Sequence, residues 1–303
     1  MQKIFKNHHK KQSFTWDLLP RYIFCSIIWI VVAVWCATYM YFLAWSIRFS
    51  FKSPTDSYFR VLDFGGEWYY QNYLAAFRAM RIRVGLRNAY MPEMMWNSFL
   101  YCGGNALFCN ITMILATYLV VHYKHIPVSK ILWACFIITN FVPLTPNTGA
   151  EIKMLRELGL FGTMWGNWIY NCGAFGSGFL LMVGVWRSIG RELCEAAEID
   201  GAGPWRLFFS IMWPMISAFF IFRFISEFRG LWDDYMPMLF FLRGYPTVAL
   251  AAISFQNSTD AGAADITAKA AGAFTFSIPM VLLFLLMKNK MIKSMSMVGG
   301  LKG

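Results

Sequence analysis

Long runs of uncharged apolar residues leave this chain little choice of fold. A helix rises about 1.5 Å per residue, so about 20 apolar residues cross the hydrocarbon core of a bilayer. The run that begins at Tyr22 reaches Ile47 without a single charge. Comparable, mostly uncharged runs follow at about 98–122, 131–147, 165–186, 215–235 and 266–287. With 58% hydrophobic and only 14% charged residues, the chain is far more apolar than a soluble domain. The expected fold is an all-α polytopic membrane protein of about six transmembrane helices. Its transmembrane domain covers 22–287, between basic tails at 1–21 and 288–303.

The formal net charge is +11. In a soluble chain that excess would suggest nucleic acid. Here it suits anionic lipid headgroups and the enrichment of Lys and Arg in cytoplasmic loops, so lipid is expected as a partner and nucleic acid is not. Six spans put both termini on one side, and the basic N-terminal tail, the basic 122–130 link, the 187–206 loop and the basic C-terminal tail all fall on that side. That side is expected to be the cytoplasm. The exception is 48–96, where Arg78, Arg81, Arg83 and Arg87 fall outside. Either protein contacts hold them or the span count is off by a piece. The segment from Phe77 to Arg87 suits an amphipathic surface helix. The first apolar run is too long for a signal-peptide core and has no evident cleavage site, so it is expected to be retained. The seven Cys lie mostly in or beside the apolar runs with no metal-site spacing, and the pair His122 and His125 lacks a third ligand. No metal is expected.

Several polar residues sit where the bilayer should be. Asn140 lies in a polar, proline-broken end of the third run, and Asn167 and Asn171 share one side of the fourth, which also contains Gly173, Gly176 and Gly178. The fifth carries Arg223 and Glu227 at i, i+4. Intramembrane charges pair with each other or face a bundle interior, so this pair fits either gating or a structural ion pair. Gly103, Gly104 and Ala106 give the second run a small-residue face for close packing. A polar outer loop is expected over 243–265.

The stretch between the fourth and fifth runs has its own chemistry. It reads Glu195-Ala196-Ala197, three residues, Gly201, nine residues, Ile211, one residue, Trp213-Pro214. Good helix formers fill 191–199, Asp200-Gly201 signals a turn, and Pro204 suits the first position of a second helix, which Pro214 should end or kink. Small Ala196, Ala197, Gly201 and Ala202 would let another surface approach closely. An ordinary amphipathic loop lying on the membrane is the other reading.

The stretch is similar to the coupling-loop signature of the permease subunits of ABC importers: Glu-Ala-Ala, three residues, Gly, nine residues, Ile, one residue, Leu-Pro. All spacings fit. Trp213 stands where Leu is usual, and Gly190 where the family often has Pro. The resemblance implies that 189–214 is a cytoplasmic helix-turn-helix that docks on an ATPase subunit, with Glu195, Ala196, Ala197, Asp200, Gly201, Ala202, Ile211 and Pro214 as the coupling residues. Trp232-Asp233-Asp234-Tyr235 resembles a patch common in sugar-type permeases, with Asp233 where Asn is usual. The flexible, basic tail with Gly299, Gly300 and Lys302 resembles the ending of the maltose-type second permease, which reaches into the ATPase dimer. Asn140, Asn171, Arg223, Glu227, Trp232 and Asp233 are the candidate pathway residues.

The chain contains no G-x-x-x-x-G-K-[ST] phosphate loop and no evident catalytic constellation. By resemblance it is a non-enzymatic subunit, binding no cofactor itself, of a carbohydrate importer in a bacterial or archaeal plasma membrane. ATP and Mg would be bound by two partner ATPases. A second permease, forming a heterodimer, and an extracytoplasmic solute-binding protein complete the expected assembly. A permease for a non-sugar solute and an ion-coupled secondary transporter are the alternatives.

Overall fold

A computed structural model describes residues 19–142, 148–173, 175–176, 178–189, 191–258 and 265–300. The chain divides into two compact units, one ending at Tyr69 and one beginning at Tyr70.

The first unit is built on α1, Leu19–Ser50, and the short α2, Pro54–Phe59. Every residue from Tyr22 to Ala44 is exposed. A helix that is apolar all round and covered by nothing in its own unit is stable only in a membrane. Beyond its end the chain folds back. The buried Arg48 guanidinium donates to the carbonyls of Phe64 at 2.8 Å and of Gly65, and stacks 5.0 Å over Trp68. The buried Lys52 amine donates to the carbonyls of Arg60 and Val61, and Trp45 Nε1 donates to Val61 at 2.9 Å. Two cations thus nucleate the 60–69 loop by saturating its carbonyls, which offsets part of their desolvation. Burial, reinforced by the Arg48 charge, lowers the Lys52 pKa. Part of the basic 48–96 stretch is therefore held by protein contacts.

The second unit opens with α3, Gln71–Ala79, and a hairpin of β1, Ile82–Val84, and β2, Arg87–Ala89. The surface helix expected over 77–87 is replaced by this hairpin. Gly85, at φ +61°, supplies the positive φ that the two-residue turn between Val84 and Arg87 needs. Arg87 pairs with Glu93 at 2.8 Å.

The central element is α4, Met91–His122, one face of which is buried along its whole length. Then come α5, Pro127–Phe141; α6, Thr148–Glu157; α7, Met164–Tyr170; α8, Gly178–Ser188; and α9, Arg191–Ile199. A short α10, Pro204–Arg206, runs through a π-helical segment, Leu207–Met212, into α11, Trp213–Trp232. The chain ends with α12, Met236–Phe240; α13, Val248–Asn257; and α14, Ile266–Gly300. Helices α7, α8 and α11 pack on α4, and α14 packs on α11 and α13.

Among the described residues, four stretches are long and apolar enough to cross a membrane: Tyr22–Ser50, Met91–His122, Pro204–Trp232 and Ile266–Asn289. Shorter apolar helices occupy Pro127–Phe141, Gly178–Ser188 and Val248–Asn257. Several boundaries differ from the sequence reading. The run at 131–147 becomes α5, which starts earlier, at Pro127, where a missing N–H costs nothing, and ends at Phe141. The distal part of that run, 143–147, lies outside the described residues. The run at 165–186 is two helices separated at 171–177. The run at 215–235 starts at Pro204, because Pro214 does not stop the helix. Proline cannot donate to the preceding turn and its ring crowds a carbonyl there. The wider π turn just before it gives that room, with the Trp213 N–H reaching back to the Phe208 carbonyl. The outer loop expected over 243–265 contains α13, whose Val248, Ala249, Leu250, Ala251, Ala252 and Phe255 are buried. Ser98 Oγ, on α4, accepts the otherwise orphaned Val248 N–H at 2.9 Å. The tail read as flexible from 288 continues helical to Gly300.

The small-residue face of α4 is used. A Cβ on Gly103 would sit 4.0 Å from the Phe228 ring, and the Trp168 indole occupies the space where a Cβ on Gly104 would sit. Gly104→Ala is therefore expected to destabilise the chain by about 1–3 kcal/mol through overpacking. Thermal unfolding in mild detergent checks this, and adding Trp168→Leu, which removes the indole, should recover part of the loss.

Candidate functional site

Two constellations stand out: the hairpin at 189–214, and a cluster of polar side chains around the interruption between α7 and α8.

In the hairpin, α9 turns a narrow face inward. Cys194 and Ala197, at i, i+3, are buried with Trp186 and Ile189 from the end of α8, with Met113, Ile114 and Tyr118 of α4, and with Leu207, Phe208 and Met212 of the π segment. Trp186 Nε1 donates to Thr117 Oγ1 at 3.0 Å within this core. The turn is a Schellman motif: the Ala202 N–H bonds the Ala197 carbonyl at 2.9 Å and the Gly201 N–H bonds that of Glu198 at 3.0 Å. It requires positive φ at Gly201, which stands at +80° with open space around it. Gly201 is there for its backbone conformation.

The coupling candidates separate by exposure. Glu195, Ala196, Asp200, Gly201 and Pro214 are exposed; Ala202 and Ile211 are half-buried against the core; Ala197 is buried. Ala197 and Ala202 therefore build the turn, and the approachable edge is Glu195, Ala196, Asp200 and Gly201. Two apolar side chains outside the coupling candidates join this region: Ile199 is 86% exposed beside the turn, and Trp205, 78% exposed, stacks on Phe209 at 6.0 Å. The signal for Ile199 was available, since an apolar residue two positions past buried Ala197 falls off the inward face. Of the tail candidates, Gly299 and Gly300 end α14 and Lys302 lies outside the described residues.

The second constellation is set by broken backbone. Between α7 and α8 the helical ladder stops, and side chains from neighbouring helices take its place. Asn105 on α4 and Asn167 and Asn171 on and after α7 form a closed amide cluster. Asn105 Nδ2 donates to Asn167 Oδ1 at 3.2 Å, and Asn171 Nδ2 donates to Asn167 Oδ1 at 2.9 Å and to Asn105 Oδ1 at 3.1 Å. Asn140 Nδ2, from α5, donates to the Phe175 carbonyl at 2.7 Å, and Cys109 Sγ, from α4, donates to that of Gly173 at 3.4 Å. Arg223 on α11 lies against Gly178, where a Cβ would come within 2.8 Å of the guanidinium carbon, and pairs with Glu227 at 3.1 Å.

The structure thus brings Asn140, Asn171 and Arg223, with Glu227 beside it, to one region. It places the other two pathway candidates elsewhere. Trp232 is buried among Phe99, Phe228 and Phe276, with Nε1 donating to the Phe276 carbonyl at 3.4 Å, and Asp233 is exposed at the end of α11. Asn105 and Asn167 complete the cluster; Asn105 was not singled out in the sequence, where a lone Asn in an apolar run carries no sign of its partner. Asn167→Leu removes the acceptor shared by two amides. It is expected to cost about 1–2 kcal/mol, read as a lower unfolding temperature in detergent.

Residues 105–291 match the family described as "Binding-protein-dependent transport system inner membrane component". The melibiose/raffinose/stachyose import permease protein MelC of Bacillus subtilis is 28% identical over 227 residues, 73% of this chain and 78% of that protein. A probable ABC transporter permease of Pyrococcus horikoshii is 29% identical over 178 residues, 58% of this chain and 64% of its own length. The maltodextrin transport system permease protein MdxG of Bacillus subtilis is 29% identical over 171 residues, 55% of this chain. That alignment spans 60% of MdxG, so part of these relatives' length is unmatched. The fold is shared with a chain of a bacterial ABC transporter "involved in the import of the acidic polysaccharide alginate", at TM-score 0.70 and 16% identity, covering 91% of this chain and 98% of that one. The chain is a multi-pass membrane protein that belongs to the binding-protein-dependent transport system inner membrane component family.

Proposed function

We propose that this chain is one of two membrane-spanning subunits of an ATP-driven importer of a sugar or oligosaccharide. In this reading it has no ATPase site of its own and couples through the 189–214 hairpin to a partner ATPase that binds ATP and Mg. The observation that carries the reading is the hairpin: an exposed edge of Glu195, Ala196, Ile199, Asp200 and Gly201 mounted on a buried stripe of Cys194 and Ala197. A firmly anchored helix with a small, acidic and apolar outer edge is suited to a cleft on a soluble partner, and less suited to lying on an anionic membrane surface. The carbohydrate substrate is supported by the names of the relatives MelC and MdxG.

Force on this hairpin has a direct route inward. From Pro204 to Trp232 the chain is one helical rod, about 44 Å long at 1.5 Å per residue. Its outer part carries Arg223 against Gly178, beside the interruption in the α7–α8 run. Closure of an ATPase pair would tilt this rod and reposition the polar cluster. ATP binding would then stabilise one of two access states over the other. A second permease, two ATPases and an extracytoplasmic solute-binding protein complete the proposed assembly. Hairpin, α14 end and both termini lie on the cytoplasmic side. The Arg223–Glu227 pair needs no ion-coupled transport to account for it, since it braces the start of α8.

Glu195→Lys and Ile199→Asp, both at exposed positions, are expected to abolish co-purification of an ATPase and substrate uptake while leaving membrane insertion and unfolding temperature unchanged. Uptake that follows an ion gradient and ignores both substitutions would overturn the proposal. Truncation of residues 299–303 is expected to lower substrate-stimulated ATP hydrolysis of the assembled complex. Unchanged hydrolysis would remove the tail from the coupling machinery.

A further inference from the structure

At the end of the bundle that carries the hairpin, a cleft of about 330 Å³ opens between the α4–α5 link and the end of α8. Its rim carries three cations, Lys124, Lys130 and Arg187, and its floor is Val120, Ser129 and Trp133. All three cations are exposed, and none pairs with a carboxylate among the described residues. Three like charges facing one small cavity repel one another, and an anion within it would relieve that repulsion.

The surface below the rim narrows the choice of anion. On α5, Lys130 is followed at i+4, i+7 and i+11 by Ala134, Ile137 and Phe141, all exposed. This spacing makes one continuous stripe down the helix. It starts at a charge and is apolar for the rest of its length, and Trp133, which lines the cleft beside Lys130, is of the aromatic type enriched at membrane interfaces. A free phosphate would satisfy the rim and leave the stripe bare. A phospholipid satisfies both, its phosphate between the cations and an acyl chain along Ala134, Ile137 and Phe141.

We propose that this cleft is a binding site for the headgroup phosphate of an anionic phospholipid. The proposal needs only that α4, α5 and α8 lie in a membrane, and is independent of the transported solute. Its position bears on coupling. Arg187 directly follows Trp186, and Trp186 with Ile189 forms the floor on which Cys194 and Ala197 of the hairpin rest. A lipid held there would fix the end of α8 against the α4–α5 link beneath the hairpin.

The test uses the full-length chain purified in mild detergent with whatever subunits accompany it. Native mass spectrometry reads retention of added phosphatidylglycerol against phosphatidylcholine. Phosphatidylglycerol is expected to be retained preferentially, and Lys124→Gln, Lys130→Gln and Arg187→Gln each to weaken retention about fivefold. Lys130→Arg should retain it, and Lys153→Gln, on α6 away from the cleft, should change nothing. Equal loss with Lys153→Gln would show general charge attraction and overturn the site. So would displacement by inorganic phosphate alone, which would assign the cleft to a free anion. Loss of ATPase co-purification with phosphatidylglycerol retention intact would give the three cations to the protein partner instead.

Discussion

Backbone amides and carbonyls have no water to turn to inside a bilayer, and this requirement governs the centre of the structure. A helix may stop at membrane depth only where protein supplies the lost hydrogen bonds. Between α7 and α8 the supply is visible residue by residue. Asn140 reaches from α5 to the Phe175 carbonyl and Cys109 from α4 to that of Gly173, while the amides of Asn105, Asn167 and Asn171 bond to one another. These bonds also fix which elements are neighbours, since the amides tie α4 to α7 while Asn140 of α5 and Cys109 of α4 hold the break between α7 and α8. Polar residues that would be costly singly become the fasteners of the bundle.

The hairpin follows a different logic, that of an amphipathic helix at an apolar base. Its inner face is small, Cys194 and Ala197, so α9 can settle closely on Trp186 and Phe208, and its turn is closed by Gly201 in the one conformation that an L-side chain resists. The outer edge of the helix, Glu195, Ala196 and Ile199, is exposed and lies outside that buried core, where another molecule can reach it.

Much of this was legible in the sequence. Uncharged runs located the long helices because a bilayer demands length and apolarity together, and the Asp200-Gly201 turn was visible because few residues tolerate its backbone. What escaped depended on partners far along the chain. The break after Tyr170 carried a signal in Asn171, Gly173 and Gly176, but glycines inside a span also serve close helix packing; what decides is Asn140 and Cys109, 35 and 64 residues away from the carbonyls they bond. Helix α13 was hidden in a stretch read as loop, although its seven apolar residues between Val248 and Phe255 were a signal, because a ten-residue helix is too short to span and is stabilised by burial against α4 and α14. Pro214 suggested a stop, and the π turn that lets the helix pass it has no sequence signature. The separation of Ala197 from Ala196 is likewise a matter of helical phase that becomes certain only once the packed face is known.

The continuous rod from Pro204 to Trp232 joins the two logics. Its first turns belong to the hairpin core, and one of its middle turns presents Arg223 to Gly178, the first residue after the break. The absence of a Cβ at Gly178 lets a guanidinium lie directly on the backbone where α8 begins, and Glu227, one turn further on, holds it there. A displacement of the hairpin therefore cannot be absorbed in a flexible loop. It must either be taken up by the π turn, where the helical ladder is already widened, or be carried to the one level of the bundle where backbone is held by side chains instead of by its own helix. Side-chain hydrogen bonds can exchange partners without unfolding a helix. An interruption braced by amides and one guanidinium is thus the part of this fold best able to adopt two arrangements, which is what the proposed alternating access would require of it.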